Sequence, residues 1–386
     1  MFILKLVFKN AFRHKLRTIL TIFGMAIAVI AFGVLRTVVT AWYAGVDASS
    51  ADRLITRQAV SFIFPMPYAY KDKIEQIPGI DVVSFANWFG GTYIDKSNFF
   101  ARLAVDADTY FDAFPEFLLS EQELANFKKE RNACIIGSDI AKQFNLKVGD
   151  MMTLEGDIYP GTWEFVIRGI YKPKNKNTDA TQMFFQWDYL NELIEQQSPN
   201  RGNQVGWYIE KLADPSQSAE ISEKIDALFR NSAAETKTET EQAFQQGFIS
   251  ASGAIITAMN VLSFVIVGII MLVLANTMIM SARERTREYA VLKTLGFSTG
   301  HITGLIFGET MVVSALGGGI GLLLCFPFVD GISQAIPKGM FPVFQMEPVT
   351  IFLALTAVGL ISIIAAIFPI QRALRINIVD GFRFVG

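Results

Sequence analysis

Apolar residues in this chain gather in four long blocks, and a stretch of ordinary polarity about two hundred residues long separates the first from the second. A helix that crosses a bilayer needs ~20 mostly apolar residues to traverse a hydrocarbon core of ~30 Å. The blocks at roughly 18–42, 253–281, 303–329 and 349–370 each meet that requirement and predict four transmembrane helices. The first contains one charge, Arg36, near its outer end, where a long side chain is expected to snorkel to the interface. Trp42 and Tyr43 follow and suit an aromatic belt. Pro348 stands where a first-turn proline is tolerated and marks the start of the fourth helix. The first block exceeds the ~7–15 residues of a signal-peptide core, so it reads as a retained span.

Before the first span, Leu4, Phe8, Phe12 and Leu16 recur every fourth residue, beside a stripe of Lys5, Lys9, Arg13 and Arg17. Residues 1–17 therefore predict an amphipathic helix lying in the interface, with its cations toward anionic headgroups. Two further basic clusters follow the second span (Arg283, Arg285, Arg287, Lys293) and the fourth (Arg372, Arg375, Arg383). With four spans all three clusters fall on one side, and the excess of Lys and Arg makes that side cytoplasmic. Both termini are then inside, while residues 43–247 and the loop 330–347 are outside.

Residues 43–247 have the size of a soluble domain. Helices are expected at 70–76, at 138–144 with Ser138 as cap, and at 216–229. Strands are expected at 99–105, 133–136 and 206–210, with 151–155 and 162–171 as a hairpin pair. Segments 115–129 and 172–181 read as exposed connections. The fold class that results is a polytopic α-helical membrane protein with four transmembrane helices. A large α+β extracytoplasmic domain, expected to have two subdomains, lies between the first and second. Residues 235–252 are polar and lack a breaker apart from Gly247, so they predict a helical rod that extends the second span.

Composition excludes several function classes. The net charge of −2 gives no bias toward nucleic acid. Cys134 falls in the outer domain and Cys325 in a span, so a disulfide between them is not expected. There is no G-x-x-x-x-G-K-[ST] loop and no HExxH, and His14 and His301 are the only imidazoles, so neither an ATP site nor a metal site is expected in the chain itself. Gly296–Gly300 spell G-x-S-x-G around Ser298, but the hydrolase elbow needs a strand before it, and a helical segment precedes it here. A glycine helix stop followed by a serine cap explains the same residues. The spans lack a relay of ionisable groups. Glu309, near the cytoplasmic start of the third span, is expected to be a satisfied carboxylate bonded to a neighbouring helix. Gly304/Gly308 and Gly317/Gly321 have the spacing that lets helix backbones approach closely, within one subunit or between two.

The segment 283–296 carries the functional signal. Arg283, Glu284, Arg285, Thr286, Arg287 and Glu288 make a charged turn directly after one span, and Tyr289, Leu292 and Leu295 add an apolar face before the stop at Gly296. The bilayer does not require such a face on a cytoplasmic helix, which suggests a grip for a cytoplasmic partner.

The order of parts, with KNAFRHKLRTILTIFGMAIAV, RERTREYAVLKTLGFS, GETMVVSALGGGIGLLL and FPIQRALRINIVDGFR, resembles the MacB/FtsX-type superfamily of ABC transporter permeases. ACIIGSDIAKQFNLKVGD and FVIRGIYKP are similar to its periplasmic core. The resemblance covers the whole chain. It implies an FtsX-like permease domain at 248–386 with a coupling helix at 283–296. It also implies a separate cytoplasmic ABC ATPase that binds ATP and Mg, a second permease copy in a homodimer or heterodimer, and a bacterial inner-membrane location. The chain departs from MacB itself in having no fused ATPase domain. Export or extraction of a lipid, lipoprotein, peptide or drug-like cargo by mechanotransmission is one implied role, with a periplasmic adaptor and an outer-membrane channel as further partners. FtsX-type signalling to a cell-wall hydrolase is the alternative.

Overall fold

The computed structural model describes residues 2–336, 341 and 343–375. Arg383 and the rest of the chain after residue 375 lie outside the described residues, as do the side chains of Leu4 and Lys5. The chain divides into two compact units. A helical unit comprises Met1–Thr40, Gly253–Ser333 and Phe344–Gly386, and a sheet unit comprises Ala41–Ser252 and Gln334–Val343.

Helix α1 (Phe2–Ala11) is followed by a turn and by α2 (Lys15–Ala48). The expected single amphipathic helix is therefore broken, and Leu16 belongs to α2. Val7 and Ala11 bury the inner side of α1, while Phe8 is exposed and stacks on Phe12. Helix α2 then runs unbroken for 34 residues from the helical unit into the sheet unit.

The sheet unit follows. Its first part holds β1 (Arg53–Gln58), β2 (Met66–Pro67), α3 (Tyr70–Ile74), β3 (Ile80–Trp88), β4 (Ala101–Val105), α4 (Tyr110–Ala113), β5 (Phe117–Leu118) and α5 (Glu121–Lys129). Next come β6 (Ala133–Gly137), α6 (Ser138–Phe144), β7 (Met151–Gly156), β8 (Gly161–Pro173), β9 (Gln182–Gln186) and α7 (Trp187–Gln197). The unit ends with β10 (Gln204–Val205), β11 (Trp207–Leu212), α8 (Ser218–Leu228), β12 (Thr236–Thr240) and α9 (Glu241–Ala251). One continuous sheet runs β12-β1-β11-β3-β4-β9-β6-β8-β5, with β7 paired to β8. Pairs β4–β9 and β6–β8 are parallel.

Strands β2 and β10 pair separately in a two-stranded sheet, and the long sheet carries two cores. Side chains alternate across it, as a pleat requires. Leu54, Phe85, Cys134 and Phe185 enter a core on one face, whereas their chain neighbours Ile55, Ala86, Ile135 and Phe184 enter a second core on the other. The hairpin β7–β8 pairs Met151 with Val166, as its alternation predicts. Segment 115–129 is not an open connection. Ser120 and Glu123 form a reciprocal capping box at the start of α5, which satisfies two otherwise unpaired backbone donors. Gly137, not Ser138, is the N-cap of α6.

Glu210 of β11 is fully buried, and neither of its carboxylate oxygens has a partner of good geometry. The nearby Thr56 hydroxyl is hydrogen-bonded to Thr238 at 2.9 Å. Burial pushes the Glu210 carboxyl up to about 8 from an ordinary 4.5, with the Thr56 hydroxyl opposing the change weakly. The folded unit thus holds a proton that the unfolded chain releases near 4.5. Stability is highest below that value, falls as pH rises through the window up to about 8, and is flat above it. Glu210→Gln should remove this slope and raise the unfolding midpoint of the sheet unit at pH 8 by the equivalent of a few kcal/mol, because a group that titrates differently in the two states changes stability by about 1.4 kcal/mol over each pH step of that window. Thermal melts of both proteins across pH 5–9 (roughly the linkage window) check this; parallel slopes would contradict it.

The chain returns through α10 (Gly253–Glu284), α11 (Thr286–Thr294), α12 (Thr299–Ala335) and α13 (Pro348–Leu374). Four helices, α2, α10, α12 and α13, are long and apolar enough to cross a membrane. Helix α12 passes residue 329 and continues to Ala335, because the sequence there offers no breaker except Gly331, so the loop starting at 330 is shorter than expected. The expected rod at 235–252 is also revised. Its first part is β12, its second is α9, and Ser252 interrupts the helix at φ −97°, ψ 7° before α10 begins. Arg36 does not snorkel outward but donates to Asn260 Oδ1 of α10 at 3.1 Å.

Met25 and Ala28 of α2, Leu274 of α10, Val313 of α12 and Ala365 of α13 make the bundle core. The glycines of α12 set its spacing. A Cβ at Gly317 would lie 2.7 Å from Met25 Cβ, and one at Gly321 would lie 2.7 Å from the Ala26 carbonyl oxygen. Gly308 faces Val7, and Gly304 meets nothing within 4 Å. Gly308, Gly317 and Gly321 thus pack helices within this chain. Both cysteines are free and buried.

Candidate coupling site

Helix α11 is a discrete nine-residue element set off by sharp features at both ends. Arg285, at φ −103°, ψ 9°, separates it from α10. At the other end Gly296 takes φ +87°, its amide bonds to the Lys293 carbonyl at 3.1 Å, and the Phe297 amide reaches the Leu292 carbonyl at 3.0 Å. That pair of bonds is a Schellman stop, which needs the left-handed conformation that glycine adopts without strain. The G-x-S-x-G pattern resolves the same way. Ser298 precedes α12, its hydroxyl bonds His301 Nδ1 at 2.7 Å, and helices flank it on both sides. Among the described residues, no group of three His, Cys, Asp or Glu side chains could hold a metal.

The inner face of α11 is occupied by the chain's own helices. Tyr289 and Ala290 are buried; Tyr289 packs with Ala282 of α10, Ile302 and Ile306 of α12 and Ala373 of α13, and Leu292 is half-buried beside them. Burial pushes the Tyr289 phenol up to about 12, and the Arg285 guanidinium acts in the opposite direction, so the ring stays neutral. Lys293 Nζ donates to the Leu374 carbonyl at 3.1 Å.

An ion-pair web ties this segment to three helices. Arg17 of α2 makes two bonds to Glu284, at 2.6 and 3.0 Å, and His14 Nε2 lies 3.2 Å from the same carboxylate. Arg13 pairs with Glu288. Those contacts are solvent-accessible, and such pairs contribute only ~0–1 kcal/mol each. Arg285 differs. Its Nη1 bonds Glu309 Oε2 of α12 at 2.6 Å with both side chains less than a tenth exposed, and Ser281 donates to the other Glu309 oxygen at 3.3 Å. Glu309 is thus the satisfied carboxylate expected from sequence, and its partner is the residue at the α10–α11 break.

The outward side of the segment carries Arg283 and Arg287 with Val291, Leu295 and, past the stop, Phe297, the last three 39%, 70% and 45% exposed. Thr286 bonds back to the Arg283 carbonyl at 2.8 Å. The apolar face read from sequence is therefore divided: Tyr289 and most of Leu292 point inward, while Leu295 points outward together with Val291. Sequence reasoning overlooked Arg13, His14 and Arg17 as contacts of this segment. Their spacing signalled only a basic stripe, and their acidic partners lie more than 260 residues away.

These contacts gather the start of α2, the end of α10, α11, the start of α12 and the end of α13 at one end of the bundle, with Arg13, Arg17, Arg287 and Lys293 among them. The sequence of residues 18–228 matches the MacB-like periplasmic core domain, and residues 260–378 match the FtsX-like permease C-terminal region. The chain belongs to the MacB/FtsX-type family of ABC transporter permeases. An uncharacterized ABC transporter permease of Methanocaldococcus jannaschii is 21% identical to it over 99% of this chain and 97% of that protein. The lipoprotein-releasing system transmembrane protein LolE of Haemophilus influenzae is 23% identical over 67% of this chain and 66% of its own length. Among solved structures, the periplasmic region of MacB from Actinobacillus actinomycetemcomitans matches with a TM-score of 0.37 at 10% identity, covering 53% of this chain and 95% of that one. The permease combines four membrane helices with a large MacB-like periplasmic domain placed between the first and second.

Proposed function

We propose that this permease is moved by a separate cytoplasmic ATPase that grips α11, and that the chain itself holds no nucleotide: ATP and Mg bind the partner. The observation that supports this reading is the two-sided build of α11. One face is anchored among α10, α12 and α13, and the other presents exposed Val291 and Leu295 beside Arg283 and Arg287. A push on that face reaches α2 through Arg17–Glu284 and Arg13–Glu288 and reaches α12 through Arg285–Glu309. Because α2 is one helix of 34 residues, displacement of its base is carried along a stiff element.

In this reading two permease copies pair in the bacterial inner membrane with both termini cytoplasmic, and the periplasmic domain does work on an amphipathic cargo. The name of the Haemophilus relative, a lipoprotein-releasing protein, favours extraction or export over signalling. A periplasmic adaptor and an outer-membrane channel would complete the assembly in an envelope with two membranes. Purification from cross-linked native membranes tests the proposal. A stoichiometric polypeptide bearing a Walker loop supports it, whereas recovery of a cell-wall hydrolase without any cargo would favour signalling.

Topology has its own test. Lys176 and Thr294 are exposed, and both native thiols are buried and so silent to reagent. Lys176→Cys should label with a membrane-impermeant maleimide on intact spheroplasts, and Thr294→Cys only after permeabilisation. The reverse pattern would invert the orientation.

A further inference from the structure

The periplasmic domain contains a cavity of about 610 Å³ that the coupling mechanism does not use. Its volume falls within the ~300–1,000 Å³ of small-ligand sites. The walls are mainly aromatic and aliphatic, with Trp42, Tyr110, Phe114, Trp207, Phe244 and Ile249 prominent. The Phe62 ring lies 5.1 Å from that of Trp207 and 5.5 Å from that of Phe244, both of which line the cavity. The same loop exposes Val60, Ile63 and Phe64, the first two by 79% and 85%. One wall is formed by residues 41–48, the last turns of α2.

The charges lining the cavity are unbalanced. Among the described residues, Glu116, Asp179 and Glu241 face it against a single cation, Arg53. Arg53 is buried and already engaged. Its Nε donates to Glu241 at 2.9 Å, its Nη1 to the Ala113 carbonyl and to Glu116 at 3.0 Å each, and its Nη2 to Glu116 at 2.6 Å. Its guanidinium also stacks 4.3 Å over Phe114. Four of its five N–H groups are thus taken, so an incoming anion would find at most one donor on Arg53, and it would meet three carboxyl groups. A cation meets carboxylates that already accept bonds (Glu116 from Arg53, Glu241 from Arg53 and the Ser50 amide, Asp179 from Thr181 and Gln182) but that outnumber the one cation and keep further lone pairs, and it meets several aromatic faces whose negative π-clouds attract ammonium groups.

We propose that this cavity binds a cationic amphiphile, a molecule with an apolar body and an amine or quaternary ammonium head. The aromatic walls take the body, and the Glu116–Glu241 side takes the head. The assignment deepens the transport reading, on which it rests for the ligand's role as cargo; binding itself is measured without the ATPase.

The experiment uses the full chain in lipid nanodiscs and a hexadecyl-trimethylammonium probe bearing a diazirine, with cross-links mapped by peptide mass spectrometry. Labelling should concentrate in peptides containing residues 41–48, 110–117 and 241–249. Excess hexadecyl-trimethylammonium should compete at least ten-fold better than hexadecyl sulfate. Leu103→Trp, which fills the cavity, should cut labelling there about ten-fold. Glu241→Gln, which keeps the shape and lowers the negative charge, should narrow the preference for the cation, and it stands as the decisive variant should the larger side chain disturb folding. Labelling confined to the four spans, equal competition by the sulfate, or a preference unchanged in Glu241→Gln would each overturn the proposal. None of these outcomes would alter recovery of the ATPase, so the two readings fail separately.

Discussion

Arg285→Ala should destabilise the helix bundle by about 3–5 kcal/mol, the cost typical of removing one partner from a buried ion pair. The large effect does not mean that the pair itself is worth that much. Arg285 and Glu309 are both almost fully shielded, and the guanidinium Nη1 lies 2.6 Å from the carboxylate. Truncating Arg285 removes the short ion pair and leaves the buried Glu309 carboxyl with its bond from the Ser281 hydroxyl. The double variant Arg285→Leu with Glu309→Leu leaves no orphaned charge and should recover most of the loss. Thermal unfolding in detergent, followed by tryptophan fluorescence, compares the two. If the single variant melts with the wild type, or the double variant falls further than the single, the pair is not the buried clasp described. Because this clasp fixes the α10–α11 break to α12, the single variant should also lower any ATP-driven activity of the assembled transporter.

Val291→Asp together with Leu295→Asp should reduce recovery of the ATPase on the order of 100-fold while leaving the permease folded. Both side chains are exposed in the isolated chain, so the bundle loses little when they become charged. Docking against a protein groove would remove them from water, worth up to ~1.5–3 kcal/mol per side chain, and each 1.4 kcal/mol is about a factor of ten in affinity. Tyr289→Ala is the contrasting case. It empties a buried site among α10, α12 and α13, so it should lower stability and ATPase recovery together. Pull-downs at matched permease levels, read beside the melting curves, distinguish loss of the docking face from loss of the helix's own seat.

Which features were legible in the sequence follows from how local their cause is. The four membrane helices and the stop at Gly296 announce themselves within a few residues, by a run of apolar side chains or by one glycine at φ +87°. The hairpin β7–β8 is equally local. What was missed depends on distant partners. A helical wheel shows that α11 has an apolar face, but only the positions of Ile302, Ile306 and Ala373 decide that Tyr289 turns inward and leaves Val291 and Leu295 outside. Arg36 reads as a snorkelling charge until Asn260, 224 positions away, is placed beside it. Strands β1, β3 and β9 are central to the sheet, with Leu54/Ile55 and Phe184/Phe185 buried on opposite faces, so they lack the polar alternation that marks a half-exposed strand. The cavity assembles residues from α2, β1, α4 and α9, and no local pattern announces it.

The central claim is that ATP is hydrolysed by a separate polypeptide and that α11 transmits the work. Reconstituting the permease with and without its copurifying ATPase, and measuring phosphate release, tests it most directly. The account predicts no turnover from the permease alone, and in the complex a permease-dependent rate that is lost in the Val291→Asp, Leu295→Asp variant. ATP hydrolysis by the purified permease on its own, or an unchanged rate in that variant, would contradict it.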